Sequence, residues 1–196
     1  LSNLNFNALA LQTAAAGDCI VPGHMMMAVL PLFHGFGLGV CIHTALTHGC
    51  AALLVPQFSV DSFVELLRKH RPHYIAGVPT LFEAILRSEK AQSLDFSRLE
   101  GIFSGGDTLP VELKRRMDAF LTERGAKVQI REGYGLTECV TASCLTPKEY
   151  YREGSIGIPY PDTYYKIVKP GTQEAVPYGE TGEICLTGPT LMREYL

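Results

Sequence analysis

Two short segments gather residue types that can hold a phosphorylated ligand. Ser104-Gly105-Gly106-Asp107 joins a pair of glycines to a hydroxyl and a carboxylate. Glu132-Gly133-Tyr134-Gly135-Leu136-Thr137-Glu138 adds an aromatic ring, a second hydroxyl and two more carboxylates. Glycines let a flat ring or a phosphate approach the backbone with no Cβ in the way. The Thr137 hydroxyl can bond a phosphate oxygen, and the Glu138 carboxylate can hold the magnesium ion that travels with it. Glycine after a strand is also an ordinary turn, and either segment alone fits that reading as well. His34, between Phe33 and Gly35, taken alone reads as a satisfied core histidine.

The elements that must position these residues follow from the apolar pattern. Leu4, Ala8, Leu11 and Ala15 recur at helical spacing from Asn3 to Ala16, with Gly17 as a stop. Met25 to Phe33 reads as a buried strand, Gly35 to Thr47 as an apolar helix, and Ala51 to Val55 as a strand covered on both faces. Ser59 to His70 is a helix capped by Ser59 or Asp61, with Phe63, Leu66 and Leu67 on one face and basic residues at its negative end. Tyr74 to Val78 is a strand, and Pro79 opens a helix to Ser88. Leu99 to Phe103 is a strand, Pro110 to Arg124 a helix ended by Gly125, and Lys127 to Arg131 a strand. This alternation predicts an α/β fold, a mostly parallel sheet flanked by helices, over residues 1–150. Both glycine-bearing segments then follow strands, at the carboxyl ends where such sheets bind ligands.

After Tyr150 the pattern changes to short strands (Ser155 to Ile158, Tyr164 to Val168, Glu183 to Thr187) between turns rich in Pro and Gly. Residues 151–196 are therefore expected to begin an antiparallel or barrel-like subdomain. Leu1 at one end and Tyr195-Leu196 at the other suggest a piece of a longer protein.

A hydrophobic fraction of 46% fits a packed domain, and a net charge of -3 gives no electrostatic case for nucleic acid or an anionic membrane. No apolar run is long enough to span a bilayer. The six cysteines form no C-x-x-C pair and lie in apolar segments. They read as small buried hydrophobes in a reducing, cytoplasmic setting, with no metal site among them.

Several segments together resemble the adenylate-forming (AMP-binding) superfamily, which comprises acyl- and aryl-CoA synthetases, luciferases and peptide-synthetase adenylation domains. Gly133 to Glu138 is similar to its signature, and Ser104 to Pro110 resembles its adenine-side loop. Pro31-Leu32-Phe33-His34-Gly35-Phe36-Gly37 looks like its acyl-pocket motif. Gly154 to Pro159 and Gly179 to Ile184 match its later segments, and Leu1 to Asn5 is like the helix after its phosphate loop. The likeness covers nearly the whole chain, with the motifs in order.

The resemblance implies a role for each residue. Thr137 would bond ATP phosphates, Glu138 would hold Mg²⁺, and Tyr134 would lie against the adenine opposite Gly105, Gly106 and Asp107. Ser104, Gly133 and Gly135 would complete the nucleotide site. Glu132 would accept a bond from the adenine amino group. His34 would sit at the mouth of the acyl pocket near the reacting carboxylate, with Val78, Pro79, Gly106 and Gly135 lining that pocket. His24, His43, His48, His70 and His73 are left as structural. The implied reaction joins a carboxylate to ATP, giving an acyl-adenylate and pyrophosphate, and then transfers the acyl group to coenzyme A. Phe33-His34-Gly35 has no acid to pair with a substrate amine, and Leu136 stands where amino-acid-activating domains carry Pro; both point to an acyl-CoA synthetase. Gly35, Gly37 and Gly39 leave room for an apolar tail, which favours fatty acids. The family's phosphate-loop lysine, ribose aspartate and C-terminal catalytic lysine have no counterpart here, so this chain alone is expected to form no adenylate. The alternatives are a non-catalytic nucleotide-binding module on the same fold, a peptide-synthetase adenylation domain, and an unrelated doubly wound domain such as a sugar-nucleotide enzyme.

Overall fold

The structure is a computed structural model that describes residues 1–195. Five strands are parallel neighbours in the order β2-β1-β3-β4-β5: β1 Met25–Ala28, β2 Ala51–Leu54, β3 Tyr74–Gly77, β4 Gly101–Ser104 and β5 Ile130–Tyr134. β6 Cys144–Leu145 joins β5 antiparallel, and β7 Ile158–Pro159 joins β6 antiparallel. The seven-stranded sheet thus continues past residue 150 to Pro159. A separate antiparallel ribbon pairs β8 Tyr164–Val168 with β9 Glu183–Thr187.

Side-chain alternation divides the core in two. Met27, Ile75, Ile102 and Ile130 face α3 (Val60–His70), α4 (Pro79–Arg87) and α5 (Val111–Glu123). Met26, Ala28, Tyr74, Ala76 and Phe103 face α1 (Asn3–Gly17) and a π-helix, Phe36–Thr44, that runs on into one α-helical turn, α2 (Ala45–Thr47). Residues buried on both sides of the central strands explain the near-continuous apolar runs in the sequence. Ser59 caps α3 in a reciprocal pair with Ser62, Pro79 occupies the first turn of α4, and Gly125 ends α5 with φ +87°.

Several sequence expectations are corrected. β1 stops at Ala28, five residues short of Phe33, which is 95% exposed, because Pro31 cannot continue the ladder. β2 is the sheet's edge among the described residues, with Ala51 and Leu54 exposed, and is not covered on both faces. β5 starts at Ile130, so Glu132, Gly133 and Tyr134 are strand residues and not loop. In α1, Leu4, Leu11 and Ala15 face outward while Asn5, Leu9, Gln12 and Thr13 are buried. The buried amides have partners far along the chain: Asn5 Nδ2 donates to Pro189 O and Leu191 O at 2.9 and 3.0 Å, and Gln12 Nε2 donates to Pro161 O.

Candidate functional site

β1 and β3 are adjacent although the chain leaves β1 for β2 on one side and returns to β3 on the other. Such a reversal opens a crevice at the carboxyl ends of the strands. The segments leaving β1, β3, β4 and β5 there carry His34, Val78–Pro79, Ser104–Asp107 and Gly135–Glu138. A cavity of about 310 Å³ lies on this side of the sheet, over the ends of β4 and β5 and against the π-helix. Its walls include His34, Ser104, Gly105, Gly106, Gly133, Tyr134, Gly135, Thr137 and Glu138, so nine of the residues singled out from sequence meet at one place.

The other four, Glu132, Asp107, Val78 and Pro79, do not line it. Glu132 is buried, its Oε1 accepting a 3.2 Å bond from Leu109 N–H, and burial raises its carboxyl pKa. It ties the loop after β4 to β5 and does not line the cavity. Asp107 Oδ1 accepts from Thr108 N–H at 2.7 Å on the outer side of its loop. Val78 lies behind Gly106, 3.4 Å from where a Cβ there would stand, and Pro79 is committed to the start of α4.

The glycines do a different job from the one their composition suggests. A Cβ on Gly135 would stand 1.9 Å from Thr141 O, and one on Gly133 would stand 2.9 Å from Cys144 O. These residues admit the antiparallel return of the chain through β6, not only a ligand. Likewise a Cβ on Gly35 would strike Val140 O at 1.8 Å, one on Gly37 would strike Pro31 O at 2.2 Å, and one on Gly39 would meet Leu9 at 2.7 Å. That space is filled by protein, so these three glycines open no channel for an apolar tail. Gly106, with φ +79°, is needed for its turn.

The polar groups of the cavity are available for a ligand. His34 Nδ1 accepts from Phe36 N–H at 3.1 Å, which places the proton of the neutral ring on Nε2 and leaves a free donor. Ser104 Oγ is buried without a hydrogen-bond partner and lines the cavity, where water or a ligand can supply one. Glu138 keeps its carboxylate on the surface, where a 2.8 Å bond from Tyr195 O–H to Oε1 holds its pKa below the usual carboxylate range. Among the described residues no group of three or more His, Cys, Asp or Glu forms a metal cage. A magnesium ion at Glu138 would therefore share one carboxylate with phosphate oxygens, a normal arrangement for that ion.

Sequence reading missed the other walls: Thr13 of α1, Phe36 and Val40 of the π-helix, Phe103, Thr141, Ala142, Leu145 and Tyr160. It also missed Cys139, read as a plain buried hydrophobe. The Cys139 thiol accepts from Leu136 N–H and donates to Leu136 O, both at 3.2 Å, closing the turn that carries Thr137 and Glu138. Burial raises its pKa and keeps the thiol protonated as a donor.

A mostly parallel sheet flanked by helices, with a cavity at the carboxyl ends of β4 and β5, defines an α/β domain with a candidate ligand site there. The chain belongs to the AMP-binding enzyme family, whose model matches residues 1–196. It is 36% identical over 188 residues to a long-chain-fatty-acid–CoA ligase of Escherichia coli O6:H1, covering 93% of this chain and 32% of that protein. It is 32% identical over 170 residues to a probable 4-coumarate–CoA ligase of Dictyostelium discoideum, covering 87% of this chain and 30% of the relative. The chain thus spans about a third of the length of these curated relatives. A solved long-chain-fatty-acid-CoA ligase from Archaeoglobus fulgidus superimposes with a TM-score of 0.89 at 21% identity, covering all of this chain and 40% of that one. No helix among the described residues is long and apolar enough to cross a membrane.

Proposed function

We propose that this chain forms the adenine, cation and acyl walls of an ATP-dependent acid–thiol ligase. The reaction joins a carboxylate to ATP with loss of pyrophosphate and then transfers the acyl group to coenzyme A. The observation that carries this reading is the convergence of His34, Ser104–Gly106 and Gly133–Glu138 on one cavity. Tyr134 and the backbone of Gly105–Gly106 bound the adenine. The Thr137 hydroxyl bonds phosphate oxygens, and the Glu138 carboxylate holds Mg²⁺. His34 Nε2–H faces the carboxylate that attacks, orienting it and offsetting its charge. Phe36, Val40 and Leu145 supply apolar wall for the acyl group. A fatty acid is the proposed substrate class, supported by the fatty-acid ligase among the relatives. The setting is cytoplasmic, supported by six unpaired thiols.

No Lys or Arg lines the cavity among the described residues. Two anions must meet there, so a cation is required from elsewhere for rate acceleration. This favours a chain that binds nucleotide without turning it over. Pyrophosphate exchange by the purified chain should be undetectable, while calorimetric titration with ATP and Mg²⁺ should show binding that Thr137→Val weakens about tenfold, the loss of one hydrogen bond to a charged group. Exchange activity in the 196-residue chain, or binding indifferent to Thr137, overturns the reading.

A further inference from the structure

The segment Pro189–Tyr195, after β9, folds back across the molecule and ends beside the Thr137–Cys139 turn. Asn5, buried on α1, holds its start with two bonds from one amide, to Pro189 O and Leu191 O at 2.9 and 3.0 Å. Thr190, between those carbonyls, is 1% exposed, so the segment is seated at its start, and it runs on over the surface to Tyr195. Two further bonds then grip Glu138 from the far end. Met192 N–H donates to Glu138 O at 2.7 Å, and Tyr195 O–H donates to Glu138 Oε1 at 2.8 Å.

We propose that Pro189–Tyr195 is a strap that positions Glu138, with Tyr195 and its anchor Asn5 as positioning residues for the bound cation. The proposal rests on the reading above that Glu138 is the cation ligand. A flexible glutamate on a three-residue turn has several rotamers, and fixing both its backbone carbonyl and one carboxylate oxygen leaves Oε2 presented in a single direction. A donor on one oxygen of a carboxylate that ligates through the other orients the ligand, as outer partners of metal sites commonly do. The strap also makes the cation ligand depend on α1, at the opposite end of the sequence, through Asn5. Tyr195 bonds the Glu138 carboxylate and acts through it.

The test is calorimetric titration of the 196-residue chain with ATP, in EDTA and in Mn²⁺, for wild type, Tyr195→Phe, Asn5→Ala and Glu138→Gln, with Tm recorded for each. The quantity read is the gain in ATP affinity that Mn²⁺ brings. Tyr195→Phe should reduce that gain about tenfold, the lower end of the effect of removing an outer partner. Affinity in EDTA and Tm should stay at wild-type values, which a merely structural residue would not arrange. Asn5→Ala should reduce the gain too, with a lower Tm because the two strap bonds and the two from Ser2 to Asn5 Oδ1 that cap α1 are all lost. Retention of the full gain by Tyr195→Phe, alongside its loss in Glu138→Gln, overturns the strap and leaves the cation reading standing. Retention of the gain in Glu138→Gln, or no gain in wild type, overturns the cation reading and the strap with it.

Discussion

The two ends of the parallel sheet use polar side chains in opposite ways. At the amino end the buried Tyr74, His73 and Arg131 are all consumed by the fold. Tyr74 O–H donates to Cys19 O at 2.6 Å, accepts from Val21 N–H at 3.0 Å and lies 2.7 Å from His24 Nδ1. His73, stacked on His24 with ring centroids 3.8 Å apart, accepts from Met25 N–H, and Arg98 Nε lies 3.0 Å from its other nitrogen. Arg131 donates to Ala16 O, Gly17 O and Thr146 O, closing the carbonyl end of α1. At the carboxyl end Ser104 Oγ is buried without a partner, and His34 keeps Nε2 free. The polar groups buried at the amino end are spent on the fold, whereas Ser104 and His34 at the cavity keep capacity for a ligand, a distinction that residue type alone does not make.

Substitutions at the two ends should therefore differ in kind. Arg131→Met should be the most damaging, costing about 3 kcal/mol or more because three backbone carbonyls lose a charged donor. Denaturant melts should show it, and a loss under 1 kcal/mol would remove Arg131 from the scaffold. Gly135→Ala comes next. Its Cβ must displace Thr141 O, so a loss of about 1–3 kcal/mol is expected, the usual cost of overpacking, together with weaker nucleotide binding since Thr137 and Glu138 move with the turn.

A pH dependence belongs to the amino end. Burial, with lesser help from His24 and Arg98, lowers the His73 pKa below its ordinary 6.5. The folded state then takes up a proton less readily than the unfolded one. Stability is full above pH 6.5 and falls as the pH drops from 6.5 toward the folded pKa. Urea midpoints measured from pH 7.5 to 5 should decline over that window, and His73→Gln should flatten this part of the decline. An unchanged slope in the variant would place the proton uptake elsewhere. The smallest effect on stability is expected from Ser104→Ala, within about 0.5 kcal/mol of wild type or slightly stabilising, since a buried hydroxyl without a partner is removed. A clear destabilisation there would mean Ser104 belongs with the scaffold and would blur the contrast.

Much of the fold was legible because buried parallel strands and amphipathic helices write themselves in apolar runs. α3, α4 and α5 and the ribbon strands lie where spacing and caps put them. The errors have physical causes. Val128 packs against the core from outside the ladder, so the apolar pattern of β5 begins before its hydrogen bonds do. β6 is two residues long and carries no periodicity. In α1 the buried face includes Asn5 and Gln12, whose carbonyl partners lie more than 140 residues away, so spacing alone selected the exposed leucines. At the site, residue types located the cavity but not the orientation within it. Nothing in the sequence says that Glu132 turns to Leu109, or that Gly133 and Gly135 make room for β6.

The contrast between the two ends is tested most directly by backbone amide chemical shifts during titration of the ¹⁵N-labelled chain with AMP. Shifts should move for Gly105, Gly106, Gly135, Thr137 and Glu138, while Val21, Met25, Tyr74 and Glu100 at the amino end stay fixed. Changes confined to the amino end, or the same small drift at both, would contradict a ligand site at the carboxyl ends of the strands.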